Sequence, residues 1–409
     1  MSLVVGPKSF SPFSSASRWS WQVLADTGRT GGGDNACAQW ALTPLPCAHV
    51  EFGAPVRALS GGAWQEALRG RRTKIAARHP WGEKMNESRL LYLSRDDVVR
   101  IGLPMADVIA SVETAFREKG EGRTEMPPKP GVHPGGGDNF IHAMPAYIPG
   151  LRSAGLKWVS GFPGNAERGL PYITGLVVLN DVDTGLPLAV MDCTWITAMR
   201  TGAATAVAAQ RLARPESSIL GVLGCGVQGR SNLEALQAAL PITHVRAYDV
   251  APGVAAEYAV EVSDRFGVAA TAVSSPREAV SGCDVVVTAG PIQKHPHRTI
   301  QRGWLDAGAF ASLVDYDSYF DPAALHEVDK FCTDDVPQLR LAQTAGYFAD
   351  IPPIYADLGE LVAGRKPGRE RPEERTIAAN LGLAIDDMAV APLLYQRAQE
   401  KGIGTSLSL

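Results

Sequence analysis

Residues 217–240, SSILGVLGCGVQGRSNLEALQAAL, constrain the fold more than any other stretch of this chain. The run from 219 to 223 is short and apolar, as a strand covered on both faces is. Gly224, Gly226 and Gly229 follow at GxGxxG spacing, and a helical pattern comes after them. A dinucleotide seat needs such glycines for a sharp turn and for close approach of backbone to pyrophosphate. It also needs a helix start whose free N–H groups face the anion. Gly224, Gly226, Val227, Gln228 and Gly229 are the candidate contacts. The next apolar run ends at Asp249, twenty residues beyond Gly229, where an acid accepts hydrogen bonds from both adenosine ribose hydroxyls. Val250, Ala251 and Pro252 follow it, with no Arg to hold a 2′-phosphate, so the pattern predicts NAD over NADP. A bare strand–turn–helix, or a methyltransferase-type nucleotide fold, is compatible with the same loop and acid.

Between about 217 and 336 apolar runs alternate with helical patterns: ILGVLG, VRAYDV, VAATAV, DVVVTAG, AFASLV and KFCTDD. That alternation predicts an α/β fold with a doubly wound parallel sheet of Rossmann type. Upstream, Ser94 is placed to cap a helix from Arg95, and a second helix follows Pro104 with Val108, Ile109, Val112 and Phe116 on one face. Strands and turn residues then alternate to about residue 192, which predicts an antiparallel sheet in a separate α+β domain, closed by a helix over about 195–212. The expected divisions are 85–213 for that domain, 214–336 for the nucleotide-binding domain and 337–409 for a segment returning to the first. The last segment is expected to hold one amphipathic helix, roughly 378–400.

Residues 1–84 show no sustained period and carry ten Lys or Arg against five Asp or Glu. They read as an extension without a packed core ahead of a start at Met85; their acids and prolines argue against a transit peptide. Over the whole chain, 20% of residues are charged and the formal net charge is −4, which points to neither nucleic acid nor an anionic membrane as partner. No apolar run reaches the ~20 residues of a membrane span. Six cysteines, Cys37, Cys47, Cys193, Cys225, Cys283 and Cys332, form no CxxC pair. They read as reduced thiols in a cytoplasmic protein with no metal site.

Four motifs in order, GLKWVSGFPGN, NDVDTGLPLAVMD, ITAMRTGAATAVAA and GVLGCGVQGR, resemble the ornithine cyclodeaminase and mu-crystallin family over about residues 88–405. The resemblance implies a homodimer with a substrate-binding and dimerisation domain beside a Rossmann domain, and NAD-linked interconversion of an amino acid and its imine. Cyclodeaminases of the family return the hydride and release ammonia. Its ketimine or pyrroline-2-carboxylate reductases and alanine dehydrogenases run part of that cycle, and its crystallin-type members bind nucleotide without turnover. The expected substrate is a small amino acid or cyclic imino acid.

Carried over by motif, Lys157 and Arg200 hold the substrate carboxylate, with Lys129 as a third cation where the family usually has arginine. Both Lys157 and Arg200 sit in apolar surroundings where an unpaired cation is costly, so either a ligand carboxylate or an internal acid such as Asp181 or Asp192 must satisfy them. Thr201 and Gly202 are expected beside the pyrophosphate. The family's catalytic acid aligns with Asp317 in ASLVDYDSYFD. Asp315, two residues earlier, would point the same way if the strand continues and could share its proton. One of these acids could instead cap the helix near Pro322, as Asp321 could. The glycines that usually precede the acid are missing, and Tyr172 stands where cyclodeaminases carry threonine. That bulk argues against ornithine itself as the substrate.

Overall fold

A computed structural model describes residues 89–409. The extension at 1–84, Met85, Cys37 and Cys47 lie outside the described residues. The chain opens with β1 (Arg89–Leu93) and α1 (Arg95–Ile101). Ser94 caps α1 reciprocally: its hydroxyl accepts from the Asp97 amide at 3.2 Å, and the Asp97 carboxylate accepts from the Ser94 amide at 3.1 Å. In α2 (Met105–Gly120) the face carrying Val108, Ile109, Val112 and Phe116 is buried. Then come β2 (Gly131–Val132), β3 (Phe140–Ile148), β4 (Ser153–Gly161), β5 (Ile173–Asn180) and β6 (Pro187–Asp192), paired antiparallel in sequence order. β1 joins β6 in parallel. α3 (Thr194–Leu212) leads out of this sheet.

The second sheet is built from β7 (Ile219–Leu223), α4 (Val227–Ala239), β8 (His244–Tyr248), α5 (Val254–Phe266), β9 (Ala269–Ala272), α6 (Pro276–Val280) and β10 (Val285–Thr288). It continues through β11 (Phe310–Leu313), α7 (Pro322–Leu325), β12 (Lys330–Thr333), α8 (Val336–Thr344), β13 (Ile354–Asp357), α9 (Leu358–Val362) and β14 (Thr376–Ala379). Its eight strands are parallel, in the order β13-β12-β14-β11-β10-β7-β8-β9. The order reverses between β7 and β10. Loops leaving the carboxyl ends of those two strands therefore diverge and open a crevice, the usual ligand position in such sheets.

The boundary expected at 336 falls inside this sheet, because β13 and β14 lie beyond it and β14 inserts between β11 and β12. Both are four-residue strands, separated by α9 and a charged loop, and too short to show a period. The last helix also starts later than expected: Ala378 is in β14, and α10 spans Ala384–Lys401. A run of small apolar residues reads alike as buried strand or helix, and Gly382 with φ 79° separates the two. α10 packs on β3, β4 and α2, and β15 (Thr405–Ser408) pairs antiparallel with β1, so the chain does end on the first sheet. Among the described residues no helix is long and apolar enough to cross a membrane.

Candidate active site

A cavity of about 580 Å³ is lined by residues from the parts of the chain that carry each of the two sheets. Lys157 comes from β4, Arg200 and Thr201 from α3, Lys129 from the segment before β2 and Tyr172 from the residue pair before β5. From the nucleotide-type sheet come Gln228 in α4, Gly290 just past β10, and Asn380 just past β14. The structure thus brings Lys129, Lys157, Tyr172, Arg200, Thr201 and Gln228 to one space.

The two most deeply buried cations on the cavity wall are neutralised from within. Lys157 is 1% exposed, and its Nζ lies 2.9 Å from Oδ1 and 2.8 Å from Oδ2 of Asp387. Arg200 Nε lies 3.3 Å from Asp387 Oδ1, and its terminal nitrogen lies 3.5 Å from Asp386 Oδ2. Neither Asp181 nor Asp192 is involved: Asp181 closes its own turn with Thr184, and Asp192 accepts from the Thr194 amide. Asp386 and Asp387, in the first turn of α10, are residues that the motif comparison passes over. Their signal was two adjacent acids inside the apolar run LGLAIDDMAVAP, a placement that demands buried partners. Lys129 Nζ donates to the Leu381 carbonyl at 3.0 Å, and Asp334 accepts from the Gly382 amide at 2.7 Å. Gly382 suits its left-handed backbone (φ 79°), and a Cβ there would push away the Arg200 terminal nitrogen that stands 2.5 Å from that position.

Burial moves several of these groups toward neutrality. Desolvation pushes Lys157 down to about 8, helped by Arg200 and opposed by Asp387. Lys129 is likewise pushed down to about 8 by burial, with Asp334 opposing. Burial raises Asp334 to about 7 and Asp386 to about 6. His142, also on the cavity wall, is lowered to about 4 by desolvation and then by Lys129, which keeps its ring neutral near pH 7.

The glycine loop has the shape a dinucleotide needs. Gly224 has φ 96°, and a Cβ there would come within 2.6 Å of the Ala289 carbonyl carbon. A Cβ on Gly229 would come within 2.6 Å of the Gly224 oxygen, whereas one on Gly226 would meet nothing within 4 Å. The loop is packed from behind and open in front. Among the described hydrogen bonds the amides of Val227, Gln228 and Gly229 at the start of α4 have no acceptor, and Val227 is 65% exposed. Asp249 follows β8 and accepts from the Cys225 amide at 2.8 Å, which fixes it against the loop. On the cavity wall, the buried Oδ1 of Asn380 has no hydrogen-bond partner and suits an N–H donor such as a nicotinamide carboxamide. These residues fit NAD. Gly202 serves another purpose: a Cβ would meet the Ser231 carbonyl oxygen at 2.4 Å, so this glycine lets α3 lie against α4 and is absent from the cavity wall. Cys225 is buried and pushed up to about 12, hence a thiol.

The acids after β11 do not point the same way, contrary to the strand alternation. The strand ends at Leu313, and Tyr316 adopts φ 62°, so the alternation that would align Asp315 with Asp317 is lost. Asp315 is wholly buried, accepting from the Thr288 hydroxyl at 2.6 Å and the Gly290 amide at 3.1 Å; burial pushes it up to about 7. Asp317 is bound by Arg298 at 2.5 Å. Neither acid is on the cavity wall; Tyr316, between them, is. Asp321 caps α7, accepting from the Ala323 amide.

Fold and site together define a two-lobed α/β enzyme whose cationic cleft meets a Rossmann-type dinucleotide crevice. The family model for the ornithine cyclodeaminase/mu-crystallin family matches residues 92–402. An alanine dehydrogenase of Archaeoglobus fulgidus is 38% identical over 327 residues, covering 78% of this chain and 98% of that protein. Among solved structures, the Thermococcus litoralis Delta(1)-pyrroline-2-carboxylate reductase in complex with NADH and L-proline is 34% identical with a TM-score of 0.71, covering 77% of this chain and 99% of that one. An archaeal alanine dehydrogenase dimer with bound NAD is 35% identical with a TM-score of 0.71, covering 79% and 100%. The chain belongs to the ornithine cyclodeaminase/mu-crystallin family.

Proposed function

We propose that this protein is an NAD-dependent oxidoreductase that interconverts a small amino acid or cyclic imino acid with its imine by hydride transfer at the alpha carbon, acting as a homodimer. The observation that carries this reading is the meeting of Lys129, Lys157 and Arg200 with Gln228 and Gly290 around one cavity. A carboxylate drawn to those cations places its alpha carbon toward the end of the crevice where the glycine loop begins. Gly224, Gly226, Gly229 and the first amides of α4 hold the pyrophosphate, and Asp249 holds the adenosine ribose. Bound there, NAD supplies the hydride acceptor, and NADH the donor.

The chain's own residues do the rest. The planar guanidinium of Arg200 suits bidentate binding of a carboxylate, and Lys129 adds a second charge. An amine must lose its proton before hydride can leave the adjacent carbon, and Lys157, lowered to about 8, is poised to take or return that proton. Asp387 positions both Lys157 and Arg200. Asp317, turned to Arg298, takes no part in this scheme. The alanine dehydrogenase and pyrroline-2-carboxylate reductase relatives favour net oxidation or reduction over cyclodeamination, and the dimeric relative favours a homodimer.

Alanine, proline, ornithine, lysine and N-methylamino acids with NAD, and pyrroline-2-carboxylate or pyruvate plus ammonia with NADH, separate the possibilities when nicotinamide absorbance and ammonia are both followed. Net redox turnover changes the nicotinamide in step with substrate. Cyclodeamination releases ammonia and leaves it unchanged. Arg200→Ala should lower kcat/KM about a hundredfold, the order expected when a buried charge-assisted contact is lost; unchanged activity would remove the catalytic assignment.

A further inference from the structure

The carboxylate end of the cavity is defined by its cations. The opposite question is what the wall formed by the turn after β11 and the end of α8 accepts. Of the described residues other than glycine, only Arg152, Tyr316 and Phe348 have positive φ, and two of these three touch each other. Tyr316 (φ 62°) packs its ring 5.4 Å from that of Phe348 (φ 50°) and edge-on at 5.1 Å from Tyr347. Left-handed backbone is costly for an aromatic residue and persists where surrounding structure enforces it, commonly at functional sites. Here it turns Tyr316 into the cavity while its neighbours Asp315 and Asp317 face other partners. The Tyr316 hydroxyl has no hydrogen-bond partner among the described residues, and burial raises its pKa, so the ring presents a neutral phenol.

We propose that Tyr316, braced by Tyr347 and Phe348, forms the side-chain subsite of the cavity and selects substrates with an uncharged aromatic or branched side chain over those with a second amine. This inference rests on the function proposed above. Tyr347 and Tyr172 complete the wall, both as neutral phenols, each pushed up to about 12 by burial. Among the described residues that line the cavity the one carboxylate is Asp138, which is exposed on the loop before β3. The buried acids Asp334, Asp386 and Asp387 are engaged by the Gly382 amide, Arg200 and Lys157. A distal ammonium would exchange water for phenol rings and gain only the exposed, solvent-screened carboxylate of Asp138 as counter-ion. A phenyl or isobutyl group would bury apolar surface against the same rings.

The test measures binding and turnover separately. The enzyme–NADH complex is titrated with the oxo acids of phenylalanine, leucine and alanine by the change in NADH fluorescence, and NAD reduction is followed with phenylalanine, leucine, alanine and ornithine. The two larger oxo acids should bind at least about tenfold more tightly than that of alanine, within the range a pocket gives for added apolar groups, and ornithine should be the poorest amino acid. Tyr316→Gly removes the ring while suiting the left-handed backbone, and Tyr347→Ala removes its brace; each should bring the binding ratio close to one. A wild-type ratio near one, or a ratio preserved in both variants, overturns the subsite. If neither this panel nor the proline, pyrroline-2-carboxylate, lysine and N-methylamino acid panel given above shows turnover with NAD or NADH, the proposed function fails, while the binding ratio still decides the subsite.

Discussion

Asp387→Asn tests the electrostatics of the site most directly. The substitution keeps the shape of the side chain and an oxygen that accepts from Lys157, and it deletes the charge 2.8 Å from the lysine nitrogen. At that separation, with an effective dielectric constant of ~20, the attraction is ~6 kcal/mol, and one pKa unit corresponds to ~1.4 kcal/mol. Asp386 and local relaxation recover most of the difference, so a further fall of about one to two units from the value of about 8 is expected. The direction follows from charge: without the anion, and with Arg200 still beside it, the neutral amine is favoured. Imine reduction needs the protonated lysine, so its rate should decline through a lower pH in the variant than in the wild type. Stability follows the same linkage. A lysine whose folded value lies below its ordinary 10.5 leaves the unfolded chain binding more protons in the interval between them, so stability rises with pH across that interval. In Asp387→Asn the interval opens at lower pH, and the loss of thermal stability should be greatest on the acid side and shrink as pH rises. The assay is kcat for imine reduction against pH at saturating NADH, with thermal midpoints measured in the same buffers. A descending limb that stays in place or moves to higher pH would refute the assignment of Lys157 as the proton carrier.

Two further outcomes are expected. Asp249→Ala should weaken NAD binding about tenfold and narrow the preference over NADP, read by titrating both nucleotides; an unaltered ratio would remove Asp249 from the ribose site. Asp317→Asn should change kcat/KM by less than about threefold while lowering the thermal midpoint, because its buried carboxylate serves the partly exposed Arg298; losing a hydrogen-bonded contact between charged groups costs ~1.5–3 kcal/mol. A collapse of kcat with intact NADH binding would restore Asp317 to the reaction.

Much of the architecture was readable because it depends on local patterns. The apolar runs 219–223 and 285–288, the glycine spacing and Asp249 each announce a position in a parallel sheet, and Ser94 announces a helix start. What escaped depends on long-range partners. Asp387 lies 230 residues from Lys157 in the chain, and no spacing rule links an acid in α10 to a lysine in β4. The brief strand Thr376–Ala379 owes its place to the gap between β11 and β12, not to its own residues. The orientation of Asp315 and Asp317 hung on whether β11 ran four residues further, and a single positive φ at Tyr316 decided it.

The return of α10 to the first sheet sets an order for biosynthesis. A ribosome delivers Lys157 and Arg200 long before Asp386 and Asp387 emerge, so the nascent amino-terminal lobe carries two cations destined for the interior with no anions to meet them. That lobe cannot close dry until α10 has been made, and a fragment ending ahead of Ala384 would have to leave the Lys157 end of β4 wet.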